Sequence, residues 1–153
     1  MIAYSDFGWV RRGKKGGVDE AYLFVIDKPK NETEENDPKI KTPGGNNPTG
    51  NIENFLSQKI RQETGISTIL VGKKRDSLGN RKSLVQIKTD GHVFRIWEME
   101  VSSFEEKDFP VSGKNIKDSC FLSVFEIIQM RNDGKILDNH SLVVDQEIMS
   151  RFV

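Results

Sequence analysis

This sequence predicts an α/β domain, and three features carry the prediction. Short runs rich in β-branched and aromatic residues recur along the chain, as in AYLFVID (21–27) and HVFRIWEMEV (92–101), the composition that suits a pleated, half-buried strand. The stretch 52–64 repeats Ile52, Phe55, Leu56 and Ile60 at the spacing of one helix face. Asp90 and Gly91 separate two strand-like runs by a dipeptide made for a tight hairpin. A chain of 153 residues, 35% hydrophobic and 30% charged, suffices for one packed core and not for two. Residues 1–153 are therefore expected to form one domain without internal repeats.

Taken in order, DFGWVRR (6–12) and AYLFVID pair as a hairpin around the glycines of RRGKKGG. DKPKNETEENDPK (27–39) is charged, proline-containing and poor in anything to bury, which predicts a solvated loop. KIKT (39–42) predicts a short strand leading into PGGNNPTGN (43–51), a flexible loop whose last residue, Asn51, is suited to cap a helix. The helix runs over 52–64 and stops at Gly65. Lys59, Gln62 and Glu63, at i, i+3 and i+4, continue its apolar stripe and are expected to face inward, towards the sheet or a cleft beside it. STILVGK (67–73), KSLVQIKT (82–89) and HVFRIWEMEV predict three more strands. DSCFLSVFEIIQMRNDG (118–134) has the spacing of an amphipathic helix, with Asp118 or Ser119 as N-cap and Gly134 just past its end. NHSLVVDQEIMSRF (139–152) predicts one further short helix.

Composition narrows the function classes. Lys plus Arg and Asp plus Glu stand at 23 each, so no global field recruits nucleic acid or an anionic membrane, and anion binding has to be local. No segment approaches the ~20 apolar residues of a membrane helix, and the N-terminus lacks the pattern of a signal peptide. The single cysteine, Cys120, lies in an apolar run and is expected in the core, which suits a reducing, cytoplasmic setting. His92, His140 and Cys120 show no zinc spacing. Trp9 and Trp97 lie in strand-like runs where packing is the default role. GKKRDSLGNRK (72–82) clusters basic residues around a turn and reads as a charged hairpin tip rather than a phosphate or RNA contact.

The stretch GGNNPTGNIENFLSQKIRQETG (44–65) resembles the Nudix box. That pattern runs from a glycine to a glutamate, then to an Arg-Glu pair, an aliphatic residue, a Glu-Glu pair, a glycine and a final aliphatic residue. Laid on this chain without gaps, it matches at Gly44, Ile60, Glu63, Gly65 and Ile66. It departs at Gly50, at Gln58-Lys59 and at Gln62, where the family has its first glutamate, its Arg-Glu pair and the first residue of its Glu-Glu pair. The resemblance extends to the order of strands and helices over nearly the whole chain, and implies a Nudix-type α/β/α sandwich with a mixed β-sheet.

In that family the box glutamates hold Mg²⁺, which bridges a diphosphate and helps generate the attacking hydroxide. Here Glu63 alone remains as the metal candidate on that face, Gln62 offers a neutral oxygen, and Lys59 brings a positive charge where the dication would sit. Three functions follow. The favoured one binds a nucleotide or another diphosphate-containing ligand with weak or absent hydrolysis, Lys59 and Gln62 contacting it with help from the loop amides at Gly44 and Gly45. The second is a hydrolase using Mg²⁺ or Mn²⁺ on carboxylates outside the box, among them Glu98, Glu100, Glu105, Glu106, Asp108 and Glu126. The third is a non-catalytic interaction scaffold.

Overall fold

The computed structural model describes residues 1–27, 38–72, 77–102 and 116–152. The 27–39 loop, the carboxylates Glu105, Glu106 and Asp108, and the basic residues Lys73, Lys74 and Arg75 fall wholly or mainly outside that range. Strands β1 (Ala3–Arg12), β2 (Ala21–Asp27), β3 (Gly44–Asn46), β4 (Thr68–Leu70), β5 (Val85–Thr89), β6 (His92–Val101) and β7 (Ile116–Ser123) form one sheet. Its order is β4-β6-β1-β2-β7, with β3 beside β1 and β5 beside β6. β1 runs parallel to β6 over its length, from Ala3 opposite His92 to Arg11 opposite Glu100, while the other pairings are antiparallel. The sheet is therefore mixed.

Side-chain alternation along the strands divides the core in two. Val10, Leu23, Trp97 and Met99 turn to one face, where they meet Leu56, Ile60 and Ile66. Their neighbours Trp9, Tyr22, Phe24 and Ile96 turn to the other, against Ile127, Val143, Val144 and Ile148. Helix α1 (Ile52–Thr64) covers the first face; α2 (Val124–Asn132) and α3 (Asp138–Glu147) cover the second. This is the expected α/β/α sandwich. α1 begins and ends as the sequence predicts, with Asn51 Oδ1 accepting from Asn54 N at 3.1 Å and Gly65 left-handed at φ 78°. Gly8 brings α1 close to β1: a methyl there would stand 2.9 Å from Ile60 Cδ1 and 2.8 Å from Met99 Sδ.

The Asp90-Gly91 hairpin forms, with Thr89 opposite His92. Three local expectations are corrected. Residues 116–123 are the strand β7, paired to β2, and the helix starts only after Ser123. Ser123 and Glu126 form a reciprocal capping box, Ser123 Oγ accepting from Glu126 N and Glu126 Oε1 from Ser123 N. Cys120, on that strand, is exposed rather than in the core. KIKT makes isolated bridges, Lys41 to Val25 and Ile40 to Ile136, and the strand that follows lies instead at Gly44–Asn46, inside the predicted loop.

The C-terminal turn, Met149–Phe152, is held by a buried acid. Glu20 accepts from both Arg151 Nη atoms (2.8 and 2.7 Å), from Tyr22 Oη (2.5 Å) and from Gly16 N (3.0 Å). Burial alone would raise its pKa, but these donors, Arg151 foremost, outweigh burial and draw it down to about 2.

A basic cleft on the helix α1 face of the sheet

The candidate site is built around Asp6, which is completely buried on β1. Its Oδ1 accepts from Arg95 Nε (2.7 Å) and Trp97 Nε1 (2.9 Å), and its Oδ2 from Arg95 Nη2 (3.0 Å) and Asn47 Nδ2 (2.8 Å). Asp6 stands opposite Arg95 in the parallel β1–β6 register, so a single carboxylate ties together β1, β6 and the loop before α1. The loop is ordered in turn from Asn47: its Oδ1 accepts from Thr49 N and Oγ1, and Thr49 Oγ1 accepts from Asn51 N, the helix cap.

On this face lies a cleft of about 1250 Å³. Residues 49–53 form one wall and 80–83 the other, while Tyr4, Gln86, Lys88, Arg95 and Trp97 form its floor. Arg81, Lys82, Lys88 and Arg95 line it against one carboxylate, Glu53, which pairs with Arg81 at 3.3 Å. The guanidinium of Arg95 lies over the Tyr4 ring, 4.3 Å from its centroid, with Trp97 at 5.2 Å. Trp97 thus packs in the core while its edge reaches the cleft, and Arg81 and Lys82 of the predicted hairpin tip stand in a cleft wall.

None of the residues singled out in the sequence, Gly44, Gly45, Lys59, Gln62 and Glu63, lines this cleft. Lys59 and Gly45 do meet, since a methyl on Gly45 would stand 3.5 Å from Lys59 Cε and 4.0 Å from Nζ. Glu63 is 5% exposed and faces inward as expected. Gln62 does not: it is exposed, because it lies about 100° round the helix from Glu63 and so past the edge of the buried stripe. Gly45 stands opposite Asp6 in β3, between Asn47 N donating to Tyr4 O and Gly8 N donating to Pro43 O. Antiparallel alternation commits its amide to that ladder. Gly44 is needed for shape: at φ 144°, a methyl there would stand 2.2 Å from Asp6 O.

These residues do not fit Mg²⁺ or Mn²⁺. Such ions take several oxygen ligands, and the described residues contain no group of three His, Cys, Asp or Glu able to hold a metal. Glu63 shares its face of α1 with a lysine one turn away. Glu98 and Glu100 belong to the other face of the sheet, since they share parity with Phe94 and Ile96, and Glu100 pairs with Arg11 at 2.5 Å. Glu126 is engaged in its capping box.

A mixed sheet sandwiched between one helix and a pair, with a glycine-led loop entering the single helix, is the Nudix fold, and this chain has it. Solved structures superpose over nearly its whole length. A NUDIX hydrolase from Nitrosomonas europaea matches with a TM-score of 0.63 at 15% identity, over 99% of this chain and 90% of that one. An ADP-ribose pyrophosphatase from Streptococcus suis matches at 0.60 and 9% identity, over 100% and 94%. A Caenorhabditis elegans Ap4A hydrolase matches at 0.60 and 8%, over 99% and 97%. No family model and no curated protein sequence matches the chain. The likeness is one of fold. Among the described residues, no helix is long and apolar enough to cross a membrane.

Tyr4, Asp6, Lys88 and Arg95 were not singled out in the sequence. Their one sequence signal is parity. Tyr4 and Asp6 alternate on β1, and Arg95 alternates with Trp97 on β6, while Phe7, Trp9, Phe94 and Ile96 take the other face.

Proposed function

We propose that this chain binds a nucleotide or another diphosphate-containing ligand in the cleft beside α1, as a cytoplasmic protein, with weak or absent hydrolysis. The observation that carries this is the charge of the cleft, where Arg81 and Arg95 are balanced by Glu53 and the buried Asp6 and Lys82 and Lys88 remain in excess. Such walls favour a polyanion, and Tyr4 on the floor suits a planar base. Lys59, against Gly45, puts an ammonium on the helix face where a metal-dependent enzyme needs oxygen ligands. In this reading the cations of the chain itself take the part that a metal plays in charge neutralisation.

The test is a ligand-induced melting shift over nucleoside diphosphates and triphosphates, dinucleotide cofactors and nucleotide sugars, run beside a hydrolysis screen with Mg²⁺ or Mn²⁺. Stabilisation without turnover is expected. Robust metal-dependent turnover refutes the proposal and favours the second reading, a hydrolase, for which the buried Glu63 on α1 speaks. A protein that is neither stabilised by any of these ligands nor active on them is a scaffold.

A further inference from the structure

We infer that Arg95 selects the base of the bound nucleotide. It accepts one that presents two neighbouring hydrogen-bond acceptors, as guanine does with O6 and N7 or cytosine with O2 and N3, and rejects adenine and uracil. This rests on the cleft being a nucleotide site, as proposed above. A guanidinium has five N–H donors in a fixed plane. Asp6 takes Nε–H and one Nη2 hydrogen of Arg95 in a bidentate pair, which leaves the edge made of Nη1 and the second Nη2 hydrogen. Asp6 is completely buried, whereas the Arg95 side chain keeps 16% of its exposure and lines the cleft. The edge away from Asp6 is therefore the one that meets a ligand, and among the described residues no hydrogen bond to Nη1 occurs.

Two features make this edge a base reader rather than a phosphate clamp. The first is charge. Asp6 already balances the guanidinium, while Lys82 and Lys88 in the same cleft have no ion-pair partner among the described residues and are better placed to draw phosphates. The second is rigidity. Tyr4 stacks on the guanidinium and Asp6 grips it at two points, so its plane is fixed before a ligand arrives, and a fixed pair of parallel donors discriminates sharply between acceptor patterns. Guanine answers with O6 and N7, the commonest specific partner of arginine. Cytosine answers on its pairing edge. Adenine sets an amino group beside N7, and uracil sets N3–H between its oxygens, so each turns a donor towards a donor. Gln86, opposite Arg95 on β5 and also lining the cleft, stands where it can engage the rest of the base.

The experiment is calorimetric titration of the full chain with GDP, CDP, ADP and UDP at one ionic strength. GDP or CDP is expected to bind about ten- to a hundred-fold more tightly than ADP and UDP. The preferred nucleotide should lose that advantage when its ring acceptor is replaced by C–H, N7 for guanine or N3 for cytosine. Arg95→Lys should abolish the preference, bringing the affinities for the four diphosphates to within about three-fold of one another. Should that variant fail to fold, the nucleotide series on the unaltered protein decides alone. Equal binding of all four diphosphates, or a preference for ADP or UDP, overturns the inference and leaves the nucleotide cleft standing. Binding of none overturns both.

Discussion

Removing the Asp6 carboxylate tests the site at its centre. In Asp6→Ala, Arg95 Nε and Nη2, Trp97 Nε1 and Asn47 Nδ2 all lose their acceptor in a place that excludes water. Deleting one member of a buried ion pair costs about 3–5 kcal/mol. Arg95 retains some exposure and regains part of its hydration, which argues for the lower end, whereas the stranded indole and amide donors, at roughly 1 kcal/mol each, push the other way. A loss of about 4 kcal/mol corresponds to a melting temperature lowered by roughly 8–16 °C for a chain of this size. Urea unfolding at neutral pH measures it directly. The cycle through Arg95→Ala and the double variant should return a coupling energy of at least about 2 kcal/mol, because the double variant leaves no charge stranded. A single variant within 1 kcal/mol of the parent, or a cycle additive to within about 0.5 kcal/mol, refutes the view that this carboxylate braces the cleft.

Three other outcomes follow from the structure. Glu20 ionises more readily in the folded chain, near 2 against 4.5 for an unperturbed carboxyl; its contribution, about 3 kcal/mol, is full above pH 5 and lost as pH falls towards 2. Glu20→Gln should flatten the stability profile in that window, and parallel profiles for variant and parent would contradict the assignment. Gly44→Ala forces a methyl against Asp6 O and Phe7 Cα at a backbone angle side chains avoid, so its urea midpoint should report a loss of at least about 2 kcal/mol; a neutral result would mean that β3 is not seated on β1 as described. Lys59→Glu combined with Gln62→Glu restores carboxylates at the box positions, and Mn²⁺ titration should detect at least about ten-fold tighter binding. Unchanged affinity would show that position 59 does not face the place where a metal would bind.

How far the fold was legible depended on whether the deciding interactions were local. α1 was complete in the sequence because its cap, its stripe and its terminal glycine all lie between Asn51 and Gly65. The β5–β6 hairpin was equally plain, since Asp90 and Gly91 set its register unaided. β7 was missed. Only Ser123 separates its apolar residues from those of α2, and a helical count absorbs both; the Ser123-x-x-Glu126 capping box was the visible sign of where the helix begins.

The sequence by itself determined that this is an α/β chain with the outline of a Nudix box and too few oxygen ligands on its helix, because chemistry carried by neighbouring residues can be read in one dimension. Only the tertiary structure decided where a ligand would sit. Tyr4 and Asp6 meet Arg95 because two strands far apart in the chain run parallel side by side, and parallel pairing leaves no local mark. The same alternation that turns Lys88 and Arg95 into the cleft sends Glu98 and Glu100 to the opposite face.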